Sequence, residues 1–240
     1  MRTALAGIVL AAMCACSRNP ALVAAKAPSA VPSAIVEVGG GKQVSTIGTP
    51  LDQPVVIQVN DAQGAAVTGA SVTLRSAAGV TFQPAAGVTG SDGQFTAIVT
   101  LGSMAGRYQI VGATTGAGGK PIEIRIDEIA LGFEQNQGRV LSDAYCGRCH
   151  DSESTAERVS NYDNLVAKPH AFSDGAFLNK MTNADLLAIV SHGGPALGKS
   201  AEMPPYARTL NRAGIDSVIA YIRAVADPPY RPRETVYAQR

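Results

Sequence analysis

One short run of this sequence combines cysteine with histidine, and it reads Cys146-Gly147-Arg148-Cys149-His150. On one turn of a helix, two thiols at this spacing can each add across a vinyl group on one edge of a porphyrin. The residue after the second cysteine then faces the iron, and imidazole is a proximal ligand that haem iron commonly takes. The spacing therefore predicts one covalent haem c on Cys146 and Cys149, with His150 as the proximal iron ligand.

Two other kinds of site use a Cys-x-x-Cys pair. A zinc site needs two further ligands, and the remaining histidines, His170 and His192, have no paired cysteine beside them. A thioredoxin-like redox pair needs a βαβ setting, which the surrounding sequence does not provide. Both alternatives are therefore weaker than haem attachment.

The second axial position of such an iron needs another donor. Met203 is the leading candidate, because Pro204 and Pro205 follow it and force a stiff, extended segment that cannot continue a helix. A soft thioether favours the ferrous state and raises the potential. The alternatives are His170, His192, Met181 and an open position.

Helical patterns surround these residues. Met181 to Val190 reads as a helix that Thr182 caps together with Asp185, and His192-Gly-Gly would end it. Two apolar faces follow the helical period, one just before Cys146 and one near the carboxyl end: Val140, Leu141, Ala144 and Tyr145; Ile215, Val218, Ile219, Ile222 and Val225.

These phrases together resemble a known family. The run "GRVLSDAYCGRCH … MTNADLLAIVSHGGPALGKSAEMPPYARTLNRAGIDSVIAYIRAVA" is similar to class I monohaem cytochromes c. The resemblance covers residues 138–226 and implies a helix before Cys146 that crosses the final helix. It also implies thioethers on Cys146 and Cys149, His150 as proximal ligand and Met203 as distal ligand.

A different period runs through residues 34–127. Apolar residues alternate with polar ones, as in Val55, Ile57 and Val59, and glycine-containing turns separate the runs. This is the pattern of antiparallel strands in a β-sandwich. The phrases "VVIQVNDAQGAAVTGASVTLRS … GVTGSDGQFTAIVTL … GRYQIVGAT" resemble the bacterial immunoglobulin-like domains of invasin and intimin type. The predicted fold class is thus two-domain, an N-terminal all-β Ig-like sandwich plus a C-terminal all-α cytochrome c fold.

The remaining segments predict export and tethering. Residues 1–16 read as a signal with a lipobox, in which Cys16, or alternatively Cys14, is lipidated. Residues 17–33 form a flexible tether and residues 128–137 a linker. Residues 227–240 form a tail that contains proline and arginine. The expected location is the periplasm, with a lipid anchor in a membrane and the outer membrane favoured.

Composition narrows the function. The 20 Lys and Arg nearly balance the 19 Asp and Glu, which disfavours binding to nucleic acid. An iron with both axial positions filled by protein favours outer-sphere electron transfer, so we expect a non-enzymatic carrier that meets a dehydrogenase, oxidase or reductase. One alternative is a haem enzyme or gas sensor with an exchangeable sixth ligand. Another is an Ig-domain docking or adhesion protein with an accessory cytochrome.

Overall fold

The computed structural model describes residues 30–76, 79–151 and 159–232. The predicted signal with Cys14 and Cys16, and most of the predicted tether, lie outside these ranges, as do the last eight residues of the predicted tail.

Nine strands form the amino-terminal part of the described chain. They are β1 (Ala34–Gly39), β2 (Val44–Thr46), β3 (Val55–Asn60), β4 (Ser71–Ser76), β5 (Thr81–Gln83), β6 (Ala86–Val88), β7 (Gln94–Thr100), β8 (Gly106–Thr115) and β9 (Pro121–Leu131). One sheet has the order β1-β3-β7-β5, and the other has the order β2-β9-β8-β4-β6. All pairs are antiparallel except β2 with β9.

The predicted alternation builds the core between the two sheets. On β3, Val55, Ile57 and Val59 are buried, and on β7 the buried residues include Phe95 and Val99. Because successive side chains point to opposite faces of a strand, every second residue enters the sandwich interior. The sandwich half of the predicted fold class therefore matches the two sheets.

Five α-helices follow β9 in the described part of the chain, and α1 follows it almost directly. They are α1 (Phe133–Tyr145), α2 (Gly147–His150), α3 (Gly175–Leu178), α4 (Asn183–His192) and α5 (Arg212–Val225). The hydroxyl of Thr182 accepts a hydrogen bond from the Asp185 amide, and the Asp185 carboxylate accepts one from the Thr182 amide, so the predicted cap of α4 is confirmed. None of the helices in the described ranges has the length and hydropathy needed to cross a membrane.

Helix α1 packs on α5 at very short range. A Cβ atom added to Gly138 would lie 1.9 Å from the backbone oxygen of Ser217, so only glycine fits at this crossing. Ser142, one turn further along α1, is buried as well. The crossing therefore depends on small side chains, which allow the two backbones to approach each other.

The sheet and the helices form a continuous structure. Strand β9 ends at Leu131 and α1 begins at Phe133, so the predicted linker 128–137 is instead the end of a strand and the start of a helix. Alternation disappears in this part of β9 because both faces are covered. Ala130 joins the sandwich core, whereas Ile129 and Leu131 pack with Val225 of α5.

The predicted fold class is therefore corrected in its carboxyl-terminal half. In the described ranges strands contain more residues than α-helices do, and the largest buried core belongs to the two sheets. The helical segment is no separate all-α cytochrome c fold, because part of its own core is contributed by β9. The end of α5 is also attached to the sandwich, since the Arg107 guanidinium donates to the carbonyl oxygen of Ala226, the residue after this helix.

Candidate functional site: an apolar cavity with two thiols, an imidazole and a thioether

The two cysteines lie where α1 passes into α2. Cys146 ends α1 and precedes α2, and its carbonyl oxygen accepts hydrogen bonds from the amides of Cys149 and His150, both at 3.0 Å. The two thiols are therefore one helical turn apart. Neither is in a disulfide; Cys146 is buried and Cys149 is half-buried.

Burial keeps the first thiol protonated. Desolvation, followed by the neighbouring Cys149 and Asp143, raises the pKa of Cys146 to about 12. All three of these contributions disfavour the thiolate, so the neutral thiol is the stable form. A thioether has no ionisable proton, so the sulfur of Cys146 would also be stable in this buried environment as a thioether.

The imidazole of His150 is held in one tautomer. Its Nδ1 lies 2.8 Å from the carbonyl oxygen of His170, and because a carbonyl oxygen only accepts, Nδ1 carries the proton. Nε2 then keeps its lone pair. Burial lowers the pKa of His150, which further favours the neutral ring. A neutral imidazole fixed through one nitrogen is a form that ligates metals through the other.

Two glycines at the end of α4 position the segment that carries Met203. Gly193 has a φ of 81°, and the amide of Gly194 donates to the Met203 carbonyl oxygen at 3.0 Å. A Cβ on Gly194 would lie 2.0 Å from the Ser200 oxygen. The segment also returns to α4 through the amide of Tyr206, which donates to the Val190 oxygen at 3.0 Å.

All four predicted ligand and attachment residues line one cavity of about 340 Å³, namely Cys146, Cys149, His150 and Met203. Most of the other residues around it are apolar and come from α3, α4, α5 and the loops between them: Leu165, Ala167, Pro169, Phe172, Phe177, Leu178, Leu186, Ile189, Val190, Pro204, Val218 and Ile222. The volume and apolar lining are typical of a small-molecule or cofactor site.

Two charged residues that the motifs do not reveal, Glu202 and Lys168, stabilise a loop on one side of this cavity. The Glu202 carboxylate accepts hydrogen bonds from the amides of Val166 and Ala167, both at 3.2 Å, and these bonds lower its pKa. The Lys168 ammonium donates to three backbone carbonyl oxygens of residues 162–165 at 2.9–3.0 Å. Glu202 therefore attaches this loop to the Met203 segment. Only the three-dimensional fold brings these two segments together.

The alternative axial donors are distributed unequally. His170 and Met181 line the cavity. The His170 ring stacks on the Phe177 ring, with centroids 3.6 Å apart, and its Nδ1 lies 2.8 Å from the Asp174 carboxylate. His192 lines a different cleft on the outer side of α4. Among the described residues, His192 is thus the weakest of the candidates.

A metal ion held by protein side chains alone is not supported. In the described ranges no three His, Cys, Asp or Glu side chains cluster closely enough to hold one. A porphyrin supplies four nitrogen donors of its own, so a haem requires only axial donors from the protein. Two thiols, a neutral imidazole and a soft thioether around an apolar cavity fit that requirement.

Comparisons with known proteins find similarity in the β-sandwich type of fold alone. No family model matches the chain, and no curated protein matches it. Among solved structures, the D00-D0 domain of Intimin is 11% identical with a TM-score of 0.32 and covers 43% of this chain and 50% of its own. The Yersinia pseudotuberculosis adhesin InvE is 15% identical with a TM-score of 0.31 and covers 42% of this chain and 32% of its own. The C. elegans MSP family member WR4 is 15% identical with a TM-score of 0.29 and covers 37% and 92%.

The chain thus spans about half of the Intimin chain and a third of the InvE chain. Their similarity to this protein lies in Ig-like and related β domains, and at these scores it supports no argument about function.

The predicted membership of the class I cytochromes c is contradicted by the observed fold. The described residues form two sheets with few helices, and the helices share part of their core with β9. Since no family model and no curated protein matches the chain, the predicted description as a cytochrome c with haem iron has no support from similar proteins. The resemblance rested on the donor residues and on helical phrases within residues 138–226, which specify donors and local helices and leave the surrounding fold open.

Proposed function

We propose that the apolar cavity holds one haem, bound covalently through Cys146 and Cys149, and that the protein carries single electrons. When bound, the haem supplies an iron that changes its charge by one electron. Each thiol would add across one vinyl group of that haem, forming a sulfur–carbon bond while the thiol hydrogen moves to the neighbouring carbon, so that no oxidant is needed. His150 and Met203 would hold its iron.

One observation carries this proposal, namely that both thiols, His150 and Met203 line the same cavity. More than fifty residues separate His150 from Met203 in the chain. His150 has the tautomer that the role requires, because its Nδ1–H is bonded to a carbonyl oxygen and its Nε2 therefore keeps a lone pair. The apolar walls exclude water and thereby reduce the reorganisation that accompanies a change in charge.

Electron carriage is favoured over catalysis because the protein offers two axial donors, His150 and Met203. Imidazole and thioether donors together would leave no axial position for a substrate, which favours electron transfer over chemistry at the iron. An enzyme or gas sensor with an exchangeable sixth ligand would instead need a distal acid–base group. His170 is the histidine best placed for that, because it lines the cavity and the Asp174 carboxylate orients its ring through Nδ1. Carbon monoxide binding by the haem-loaded chain distinguishes the two functions.

Haem attachment is tested by producing the exported protein in cells that mature such centres. A pyridine haemochrome spectrum and the intact mass together report the haem number and the thioether count. We expect one haem and two thioethers in the unchanged chain, one thioether in either Cys146→Ser or Cys149→Ser, and no attached haem in the double variant. A colourless product with both thiols free would contradict the proposal.

The partners are redox proteins at a membrane, which the anchored chain reaches through its lipid. Cys16 is the proposed lipidation site, and an outer-membrane, periplasmic location is favoured. Confinement to a surface raises the effective concentration of a partner without long-range charge steering. Mass spectrometry of the amino-terminal peptide tests this: acyl chains should remain in Cys14→Ser and disappear in Cys16→Ser.

Docking through the sandwich is a second candidate function, favoured by one edge. Among the described strands, β1 pairs only with β3, and its residues Val36 and Val38 are 40% and 50% exposed. An apolar edge strand can accept a strand from a partner. In a haem-loaded chain, Val36→Lys with Val38→Lys should then slow reduction by a membrane fraction without changing the spectrum. An unchanged rate would exclude docking at this edge.

A further inference from the structure

Phe172 lies between His150 and the β-sandwich. Its ring stacks on the His150 imidazole, with centroids 4.7 Å apart and planes 30° apart. It also meets the ring of Tyr221 edge-on, with centroids 6.3 Å apart and planes 86° apart. Contacts of both kinds are favourable arrangements of aromatic rings.

The support behind Phe172 comes partly from the sandwich. Phe172 packs against the apolar cluster of Ile129, Leu131 and Val225, and the first two of these belong to β9. Val44 of β2 packs against the same cluster and pairs with Ile129 in the sheet. Residues of strand β9 and helix α5 thus form the packing behind the Phe172 ring.

A hydrogen bond alone does not fix the plane of the imidazole. The Nδ1–H···O bond from His150 to His170 sets one atom, and the ring can still turn about the direction of that bond. Stacking on Phe172 removes this freedom. His150 and Phe172 also line a second cavity, a crevice of about 660 Å³ between the sandwich and the helices, so the two rings separate this crevice from the apolar cavity.

We infer that the β-sandwich contributes to the site through Ile129 of β9. Ile129 and Phe172 are positioning residues that set the ring plane of His150. The consequence for an axial ligand rests on the proposed function. The ring geometry itself is a property of the chain and does not depend on haem.

The matched pair Ile129→Ala and Ile126→Ala tests this inference. Both remove the same atoms from β9, but Ile126 faces the core between the sheets whereas Ile129 faces the cluster behind Phe172. Both variants should unfold more easily. Only Ile129→Ala should alter His150, and Ile129→Val should restore it.

The first readout uses the full chain without haem. Proton NMR of the His150 ring should show an upfield shift from Phe172 and cross-peaks between the two rings. We expect both to be lost in Ile129→Ala and Phe172→Leu, and kept in Ile126→Ala. A His150 spectrum that is the same in all variants, or is disturbed equally by Ile126→Ala, would overturn the inference.

The second readout uses the haem-loaded chain. The reduction potential and the g-value anisotropy of the ferric spectrum should shift in Ile129→Ala and not in Ile126→Ala. A chain that takes up no haem would refute the proposed function while leaving the NMR result to decide the positioning role. Should Ile129→Ala fail to fold, Phe172→Leu takes its place as the disturbing variant and is compared with Ile126→Ala and Ile129→Val, both of which should keep the His150 signals.

Discussion

The backbone of Gly193 and the carbonyl oxygen of Met203 approach each other so closely that a Cβ on Gly193 would lie 2.7 Å from that oxygen. Gly193 also has φ 81° and ψ 176°, a region essentially reserved for glycine. This contact joins the end of α4 to the segment that carries the proposed distal donor.

Gly193→Ala should therefore destabilise the protein by more than about 3 kcal/mol, because backbone strain and the collision with Met203 add together. Gly198→Ala is the matched control. Its φ of 64° is also positive, but nothing lies within 4 Å of an added Cβ, so we expect a cost of about 1 kcal/mol. Urea unfolding measures both, and equal costs would show that the approach to Met203 is unimportant.

How far the sequence predicts this fold is clearest in the two helices that cross. The buried face of α5 was predicted from its period, and Ile215, Val218, Ile219, Ile222 and Val225 are indeed buried. On α1, however, the predicted apolar face is wrong in part, since Val140 is 55% exposed and Tyr145 is 42% exposed. Gly138 and Ser142 are buried instead, because close approach of two backbones selects for small size, which a hydrophobic pattern does not register.

The candidate site was also predictable only in part. Cysteine spacing and the prolines after Met203 were enough to choose four residues that share one cavity. The carbonyl oxygen of His170 that fixes the His150 tautomer was not predictable, because it is a backbone atom in a loop. The role of Ile129 was missed because a strand covered on both faces loses the alternation by which strands are recognised.

The crossing of α1 and α5 leads to a second prediction. Gly138→Ala places a Cβ 1.9 Å from a backbone oxygen of Ser217 and should cost about 2 kcal/mol or more, because a backbone atom cannot rotate away. Gly214→Ala, on α5 in the same pair, meets nothing closer than 3.4 Å. Since alanine is the better helix former, stability should stay unchanged or rise by up to about 1 kcal/mol. Thermal unfolding checks both signs, and a loss of similar size in both variants would contradict the role given to Gly138.

The identity of the distal iron donor is tested by replacing, one at a time, two methionines that line the same cavity. In the haem-loaded, reduced chain, Met203→Ala opens an axial position and lowers the potential, since the thioether stabilises the ferrous state. Met181→Ala removes the same atoms from a residue that packs against the same helical core. Carbon monoxide titration followed by absorbance should show binding to Met203→Ala at concentrations where Met181→Ala and the unchanged chain bind none. Ready binding by the unchanged chain would favour the enzyme or sensor alternative.

Glu128 gives a prediction about pH. It is fully buried on β9 on the strand face that also carries Ile126 and Ala130, and it accepts a hydrogen bond from the Gln43 amide at 2.7 Å through one oxygen. The other carboxyl oxygen has no partner among the described residues. Burial above all, with the nearby charges of Glu37 and Asp127, raises the pKa of Glu128 from 4.5 to about 8.

Between pH 4.5 and about 8 the folded chain therefore keeps a proton on Glu128 that the unfolded chain has released. Folding then takes up a proton, so this group makes stability fall as the pH rises through that window and has no further effect above it. Glu128→Gln removes the titration. The difference in unfolding free energy between the variant and the unchanged chain, measured by urea at pH 5, 6, 7 and 8, should move steadily in favour of the variant. Other groups titrate equally in both proteins and cancel in this difference, so parallel profiles would mean that Glu128 is already ionised in the folded state at pH 5.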